Sequence, residues 1–120
     1  MVMETGAFET GTFAGRVWRP DVAGPALVVV RDGAVFDVTS KDVPTVRDLL
    51  ELDDPAGYLA SQHGERLSTL ESIMAGSIEA AGDLSAMHLL APCDLQAVKA
   101  CGVTFARSMI ERVIEEKAAG

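Results

Sequence analysis

The sequence feature that most constrains the fold is a pair of apolar runs separated by Asp32-Gly33. Residues 26–30 form a continuous, mostly β-branched run, and residues 34–38 form a second apolar run directly after the turn. An Asp-Gly pair between two such runs is the strongest short-range signal of a β-hairpin. Residues 13–18 are expected to form an earlier strand. The chain is therefore expected to build a sheet around this hairpin.

Capping signals predict two short helices after the hairpin. Thr45, followed by Asp48 three residues later, has the spacing of a helix N-cap. Pro55 favours the first position of a second helix, with Asp53 or Asp54 as its cap. The apolar contacts expected of these two helices are Val46, Leu49, Leu50, Tyr58 and Leu59.

The spacing of apolar residues predicts two longer helices nearer the C-terminus. The first spans residues 67–81 and ends at Gly82-Asp83, and the second spans residues 108–117. Residues 84–92 are expected to form a loop or short strand, and a further strand is expected to end near Thr104. The apolar face of the first helix is expected to hold Leu67, Leu70, Ile73, Met74 and Ile78, and that of the second helix Ile110, Val113 and Ile114. Strands followed by helices, then a strand and a helix, predict an α+β fold.

Composition and charge exclude several classes of function. The chain is 48% hydrophobic, with a formal net charge of −8 and a pI near 4.6. This composition is typical of a globular protein. An acidic surface repels phosphate backbones and anionic lipids, so neither nucleic acid nor a membrane is an expected partner. No signal peptide is recognised and no apolar run is long enough to span a membrane, so a cytoplasmic protein is expected.

The cysteines, histidines and paired carboxylates have structural interpretations. Cys93 and Cys101 are expected to be free, buried thiols in a reducing compartment, with a short-loop disulfide as the alternative. Together with His63 and His88 they lack the spacing of a zinc site. The Asp53-Asp54 pair is interpreted as a surface helix cap, because adjacent residues do not face one another on a helix.

Trp18 lies between Arg16 and Arg19, an arrangement that allows two interpretations. The first is an anion or nucleotide pocket. The second, which we favour, is a core tryptophan with arginines stacked against its edge. The sequence contains no glycine-rich phosphate loop and no nucleophile-elbow motif that would support the first.

Residues 102–112 have the pattern in which a strand ends and a helix begins. Such junctions commonly carry active-site groups. Ser108 and Glu111 are three residues apart, so they are expected to share one face near the start of the helix. The same spacing is that of a capping box, and on the residues alone the capping box is favoured over catalysis.

These residues resemble a motif of the fumarylacetoacetate hydrolase family, in which a proline-containing loop and a lysine-containing strand precede Gly-x-Asn-Tyr-x-x-His-x-x-Glu. Gly102 and Glu111 match the glycine and the glutamate of that motif. The asparagine, tyrosine and histidine positions hold Thr104, Phe105 and Ser108. The likeness is specific in residues 90–117 and weak before residue 60. With serine in place of the catalytic histidine, the chain is more similar to the branch that dehydrates 2-keto-3-deoxy sugar acids.

The resemblance implies a domain organisation and a metal. Residues 1–90 would form a small N-terminal α+β domain, and residues 91–120 would supply the first strand and the lid helix of a β-rich catalytic domain. The family implies a Mg²⁺ ion held by two glutamates and an aspartate outside this chain, so no metal ligand is assigned here. The chain ends at Gly120, and alone it is expected to be inactive.

The resemblance also implies roles for residues of the terminal helix. Glu111 would be the catalytic acid or base, carried by a lid that closes over the substrate. Thr104 and Ser108 would line the pocket, and Arg107 or Arg112 would bind the carboxylate of a 2-keto acid substrate. A homodimer or higher homo-oligomer is expected.

Three other functions stay open. One is a C–C bond hydrolase of the fumarylacetoacetate or acylpyruvate type. Another is a stand-alone α+β interaction module whose last helix binds a partner, and a third is a small-ligand regulatory domain. The residues alone do not decide among these functions.

Overall fold

A computed structural model describes residues 11–80, 82–95, 97–100 and 106–119. Within 106–119 the side chains described are those of Ile110 and of residues 113–119. In chain order the elements are β1 (Phe13–Arg19), β2 (Gly24–Arg31), β3 (Ala34–Asp37), α1 (Val46–Leu50), α2 (Pro55–Ser61), β4 (Glu65–Thr69), α3 (Leu70–Ala80), β5 (His88–Leu90) and α4 (Ala106–Ala119). The α+β prediction is confirmed for this described part of the chain.

The strands form one antiparallel sheet in the order β4-β3-β2-β1-β5. The predicted hairpin is its centre, because β2 pairs with β3 on one side and with β1 on the other. Asp32 and Gly33 both have positive φ angles, 48° and 74°, which a tight type I′ turn requires. The hairpin and the strand predicted at 13–18 are therefore confirmed.

Both faces of the sheet are covered by helices, and this explains the continuous apolar run in β2. Leu27 and Val29 pack against α1 and α2 on one face. Val28 lies on the other face, where α3 supplies Leu70 and Ile73. Successive residues of a strand point to opposite faces of the sheet. When helices cover both faces, every position of the strand is buried, so its residues are apolar without alternation.

The capping predictions for α1 and α2 are confirmed, and one burial prediction is wrong. The Thr45 hydroxyl accepts a hydrogen bond from the Asp48 backbone N–H at 3.1 Å. The Asp54 carboxylate accepts one from the Gly57 N–H at 3.0 Å. Leu49 is buried as expected, but Leu50 is 65% exposed. Adjacent helix residues are about 100° apart, so a five-residue helix cannot bury both leucines against one surface.

The prediction of one helix over residues 67–81 is wrong in its first part. Residues Glu65–Thr69 form β4, which pairs with β3, and the helix begins only at Leu70. The Thr69 hydroxyl accepts a hydrogen bond from the Ser72 N–H at 3.1 Å, as an N-cap does. Ile78 is 55% exposed, so it does not belong to the buried face. Leu67 is instead a strand residue, because the open edge of β3 offers backbone partners that helical spacing cannot reveal.

The last part of the chain agrees with its prediction where it is described. Residues 88–90 form the short strand β5 against β1. Residues 97–100 have no regular structure, and the strand predicted to end near Thr104 falls on residues 101–105, outside the described residues. The predicted terminal helix is confirmed as α4, which begins two residues earlier than expected, at Ala106.

Gly64 is the glycine on which the β3–β4 pairing depends most. Its φ is +71°, and an added Cβ would lie 2.7 Å from the Asp37 carbonyl oxygen. We expect Gly64→Ala to lower the free energy of unfolding by about 3 kcal/mol, from backbone strain plus this clash. Gly33→Ala is the matched control, since its φ is +74° but nothing lies within 4 Å of an added Cβ. Gly33→Ala should lower the free energy of unfolding, measured by urea denaturation, by only about 1 kcal/mol. Equal decreases for the two variants would refute the argument from close approach.

Candidate functional site

The residues that carry the resemblance lie at the C-terminal end of the chain. Thr104 falls on residues 101–105, outside the described residues, whereas the positions of Arg107, Ser108, Glu111 and Arg112 lie on the described backbone of α4. Helix positions advance by about 100° per residue, so these four positions fall within an arc of about 140°. One face of one helix therefore brings together the positions that were predicted to supply an acid or base and to bind a carboxylate.

The described apolar residues of α4 lie outside that arc and are exposed. Ile110, Val113 and Ile114 are 60%, 48% and 61% exposed. They were predicted to share one apolar side of the helix. Every α4 residue whose exposure is described, Ile110 and residues 113–119, is exposed. Because an isolated helix of 14 residues is marginally stable in water, this apolar face is suited to a covering surface.

The two arginines beside Trp18 point to opposite faces of the sheet and bind different groups. Trp18 lies one residue from Arg19 and two from Arg16, so strand alternation puts Arg16 on the side of Trp18 and Arg19 on the other. The Trp18 indole N–H donates to the Leu84 carbonyl at 2.8 Å. The arginines are engaged by protein carboxylates, as the following contacts show. The arrangement does not form one shared anion pocket.

Arg19 is a buried arginine at the centre of an ionic cluster with three carboxylates. It is 7% exposed. Its Nε and Nη2 donate to the Asp21 carboxylate at 3.1 and 2.6 Å. Its Nη1 donates to Asp37 at 2.7 Å and to Glu65 at 2.8 Å. Because these partners follow β1, end β3 and begin β4, the Arg19 side chain ties β1 to β3 and β4 across β2.

The cluster shifts the ionisation of its members. The hydrogen bonds that Arg19 donates to Asp21, then to Glu65 and Asp37, raise the pKa of Arg19 above its ordinary value and outweigh the opposing effect of burial. The hydrogen bond from Arg19 lowers the pKa of the Asp21 carboxyl below 3.8. Arg19 and Asp21 are therefore both held in their charged forms.

The lowered pKa of Asp21 predicts an acid-dependent loss of stability. A carboxyl whose pKa is lower in the folded state contributes stability above its unfolded pKa, and that contribution is lost as pH falls through the folded pKa. We expect the free energy of unfolding to decrease as the pH drops below about 4. Asp21→Asn should make the dependence of this free energy on pH less steep. Asp83, whose pKa is also lowered, leaves a residual slope in the variant. Urea titrations between pH 2 and pH 7 measure this, and identical profiles would refute it.

Arg16 forms a second ionic contact on the opposite face. Its Nε lies 3.1 Å from Asp94 Oδ1, and its Nη1 donates to the Ala91 and Cys93 carbonyls. Asp94 Oδ2 accepts a hydrogen bond from the Arg47 backbone N–H at 3.0 Å, in the first turn of α1. Residues 91–94 are thereby fastened to both β1 and α1. We call this set of contacts the Arg16–Asp94 clamp.

The histidines and cysteines of the described residues have local, structural contacts. His88 is 4% exposed, and its Nδ1 lies 2.8 Å from the Ala86 carbonyl oxygen. His63 has an exposed side chain and a carbonyl that accepts a hydrogen bond from Arg31. Cys93 is a free thiol, whereas Cys101 lies outside the described residues. No group of three His, Cys, Asp or Glu residues among those described could hold a metal ion.

One hollow at the described surface is polar and open, with a volume of about 440 Å³. It is lined by Thr45, Arg47, Asp48, Glu51, Asp94 and Leu95. Two of its three carboxylates are used within the fold, since Asp48 accepts from the Thr45 hydroxyl and Asp94 belongs to the clamp. Sequence reasoning did not find the hollow, because Asp94 joins it through tertiary contacts 47 residues from Arg47.

Comparisons with known proteins do not identify this chain: no protein-family model, no curated protein and no solved structure matches it. None of the helices in the described ranges is both long enough and apolar enough to cross a membrane.

Proposed function

We propose that this chain is the N-terminal portion of a magnesium-dependent enzyme of the fumarylacetoacetate hydrolase family. Its reaction is the dehydration of a 2-keto-3-deoxy sugar acid. The observation that carries the proposal is the pattern from Gly102 to Glu111, whose second half lies on helix α4. In support, the positions of Arg107, Ser108, Glu111 and Arg112 share one face of that helix, opposite exposed apolar residues.

Glu111 is the acid–base group in this proposal. A carboxylate can accept the C3 proton of the 2-keto acid and return it to the hydroxyl group that leaves, so that water is released. The Mg²⁺ implied by the family would polarise the 2-keto group of the substrate, which would make the C3 proton more acidic. As the resemblance implies, its glutamate and aspartate ligands would lie outside this chain.

Neighbouring positions on α4 orient the substrate. An arginine at position 107 or 112 suits the substrate carboxylate, because its fork of N–H donors can bind both oxygens. Ser108 stands where the hydrolase branch has its histidine base, and serine has no basic group at neutral pH. Thr104 and Ser108 are therefore assigned to the pocket wall. This substitution favours dehydration over carbon–carbon bond hydrolysis.

The exposed apolar face of α4 fits a lid in this enzyme. Closure would cover Ile110, Val113 and Ile114 with another surface of the enzyme and would exclude water from the opposite, polar face. The proposal includes a cytoplasmic homo-oligomer, in keeping with the acidic charge and the absence of an expected nucleic-acid or membrane partner.

The same apolar face favours one alternative, a stand-alone interaction module whose α4 binds a partner protein. The gene separates the two functions. A reading frame that continues beyond Gly120 into a Glu-x-Glu motif and a later aspartate supports the enzyme. A stop codon directly after Gly120 contradicts the enzyme and supports the module.

The experiment that tests the proposed reaction offers the full-length product of the gene two classes of substrate in the presence of Mg²⁺. We expect a 2-keto-3-deoxy sugar acid to lose one molecule of water, and an acylpyruvate to stay intact, with both followed by mass spectrometry. Cleavage of the acylpyruvate with no change in the sugar acid would move the enzyme to the hydrolase branch. Turnover of neither class would contradict the proposal.

A further inference from the structure

The Arg16–Asp94 clamp engages both oxygens of one carboxylate with two separate elements. Asp94 Oδ1 is 3.1 Å from Arg16 Nε on β1, and Asp94 Oδ2 accepts from the Arg47 N–H of α1 at 3.0 Å. The two charged side chains are 17% and 13% exposed. Because this pair is shielded from water, truncating one partner would leave the other as a partly buried charge without compensation.

The clamp is also the last fixed point of the described chain. Every residue after Asp94 whose exposure is described is exposed, from Leu95 through residues 97–100 to Ile110 and residues 113–119. Leu95 has no protection from solvent at all, at 104% exposure, although it directly follows the clamp. Ala91 and Pro92 are exposed as well, so Cys93 and Asp94 are the last partly buried residues described in the chain, and Asp94 is held there by a specific ion pair.

We propose that Arg16 and Asp94 are positioning residues, which fix the point at which the segment bearing α4 leaves the sheet. The catalytic consequence rests on the proposed function: a fixed exit point limits the positions that the segment carrying Glu111 can reach at the substrate. A displacement of about 1 Å at a reacting group can cost as much as a hundredfold in rate. Arg16 contributes through three contacts, since it also binds the Ala91 and Cys93 carbonyls.

The test compares Asp94→Ala, Asp94→Asn and Arg47→Ala in the full-length product of the gene. Hydrogen exchange of the Arg47 amide, which donates to Asp94, should become at least about tenfold faster in Asp94→Ala, while strands β2 and β3 keep their protection. We expect kcat to fall by about tenfold with KM changed less than about twofold, because substrate contacts stay intact. Asp94→Asn keeps an acceptor for the Arg47 N–H and should be intermediate. Arg47→Ala is the control, since alanine keeps the backbone N–H through which Arg47 binds Asp94.

Each outcome has a defined meaning. Unchanged exchange of the Arg47 amide overturns the clamp, and exchange that accelerates equally across the whole sheet shows a general structural role instead. If the Asp94→Ala variant loses the local protection from exchange but keeps the kcat of the wild type, the positioning role is overturned. If the wild-type protein turns over no 2-keto acid, the proposed function fails, but the hydrogen-exchange comparison still decides whether Asp94 fixes the exit point.

Discussion

Replacing Arg19 by methionine is expected to lower the free energy of unfolding by about 3–5 kcal/mol. Methionine keeps the apolar stem of the side chain but removes the guanidinium that binds Asp21, Asp37 and Glu65. Asp37 dominates the loss, because its side chain is 12% exposed and would be left as an uncompensated charge. Asp21 and Glu65 are 59% and 66% exposed, so water replaces most of what they lose.

The matched control for this prediction is Arg66→Met, which removes an exposed arginine from neighbouring strand β4. It should change the free energy of unfolding by less than about 0.5 kcal/mol. Urea denaturation at pH 7, followed by the fluorescence of the single tryptophan, measures both variants. A loss below about 1 kcal/mol for Arg19→Met would mean that the carboxylates do not depend on this guanidinium.

Replacing Glu111 by glutamine is expected to lower the kcat of the full-length enzyme by about 10²–10⁴-fold. Glutamine keeps the size of the side chain and its ability to hydrogen-bond, but it cannot accept or return a proton. KM should change little, since the substrate carboxylate is assigned to the arginine positions. Steady-state kinetics on a 2-keto-3-deoxy sugar acid with saturating Mg²⁺ provide the measurement.

Glu116→Gln is the control on the same helix. Glu116 is exposed and lies about 140° around α4 from position 111, so the same loss of charge should leave kcat within about twofold. If Glu111→Gln turned over substrate as fast as Glu116→Gln, the acid–base role of Glu111 would be rejected. The proposed reaction would then need a different catalytic group, beside the pocket residues assigned to the neighbouring positions.

Local signals in the sequence predicted the parts of the fold that local chemistry decides. Asp32-Gly33 adopts the positive φ angles of the predicted turn, and Thr45 and Asp54 cap the helices they were expected to cap. In each case the interacting groups lie within four residues of one another. The information needed was therefore contained in a short stretch of sequence.

Features that depend on distant contacts were not predicted. Strand β4 was assigned to a helix, because Leu67 and Leu70 have helical spacing while the deciding partner is the edge of β3. The Arg19 cluster joins residues 19, 37 and 65, and no short pattern links them. The structure shows why Arg19 can reach them: it pairs with Gly24 on the neighbouring strand, and glycine has no side chain in its path.

The candidate site differs from the features set by local signals and from those set by distant contacts. Its support is a resemblance to a family motif combined with helical spacing. The helix predicted at 108–117 is present as α4, so Ser108 and Glu111 occupy positions on one face. The roles assigned to Thr104, Arg107, Ser108, Glu111 and Arg112 stay predictions.

The most direct measurement of the central claim is the Mg²⁺-dependent loss of water from a 2-keto-3-deoxy sugar acid by the full-length enzyme. We predict turnover that stops when the metal is chelated with EDTA and returns when Mg²⁺ is added. Product that forms at the same rate after chelation would contradict a magnesium-dependent reaction. The absence of product at saturating Mg²⁺, for this class and for acylpyruvates, would contradict the assignment to an enzyme of this family.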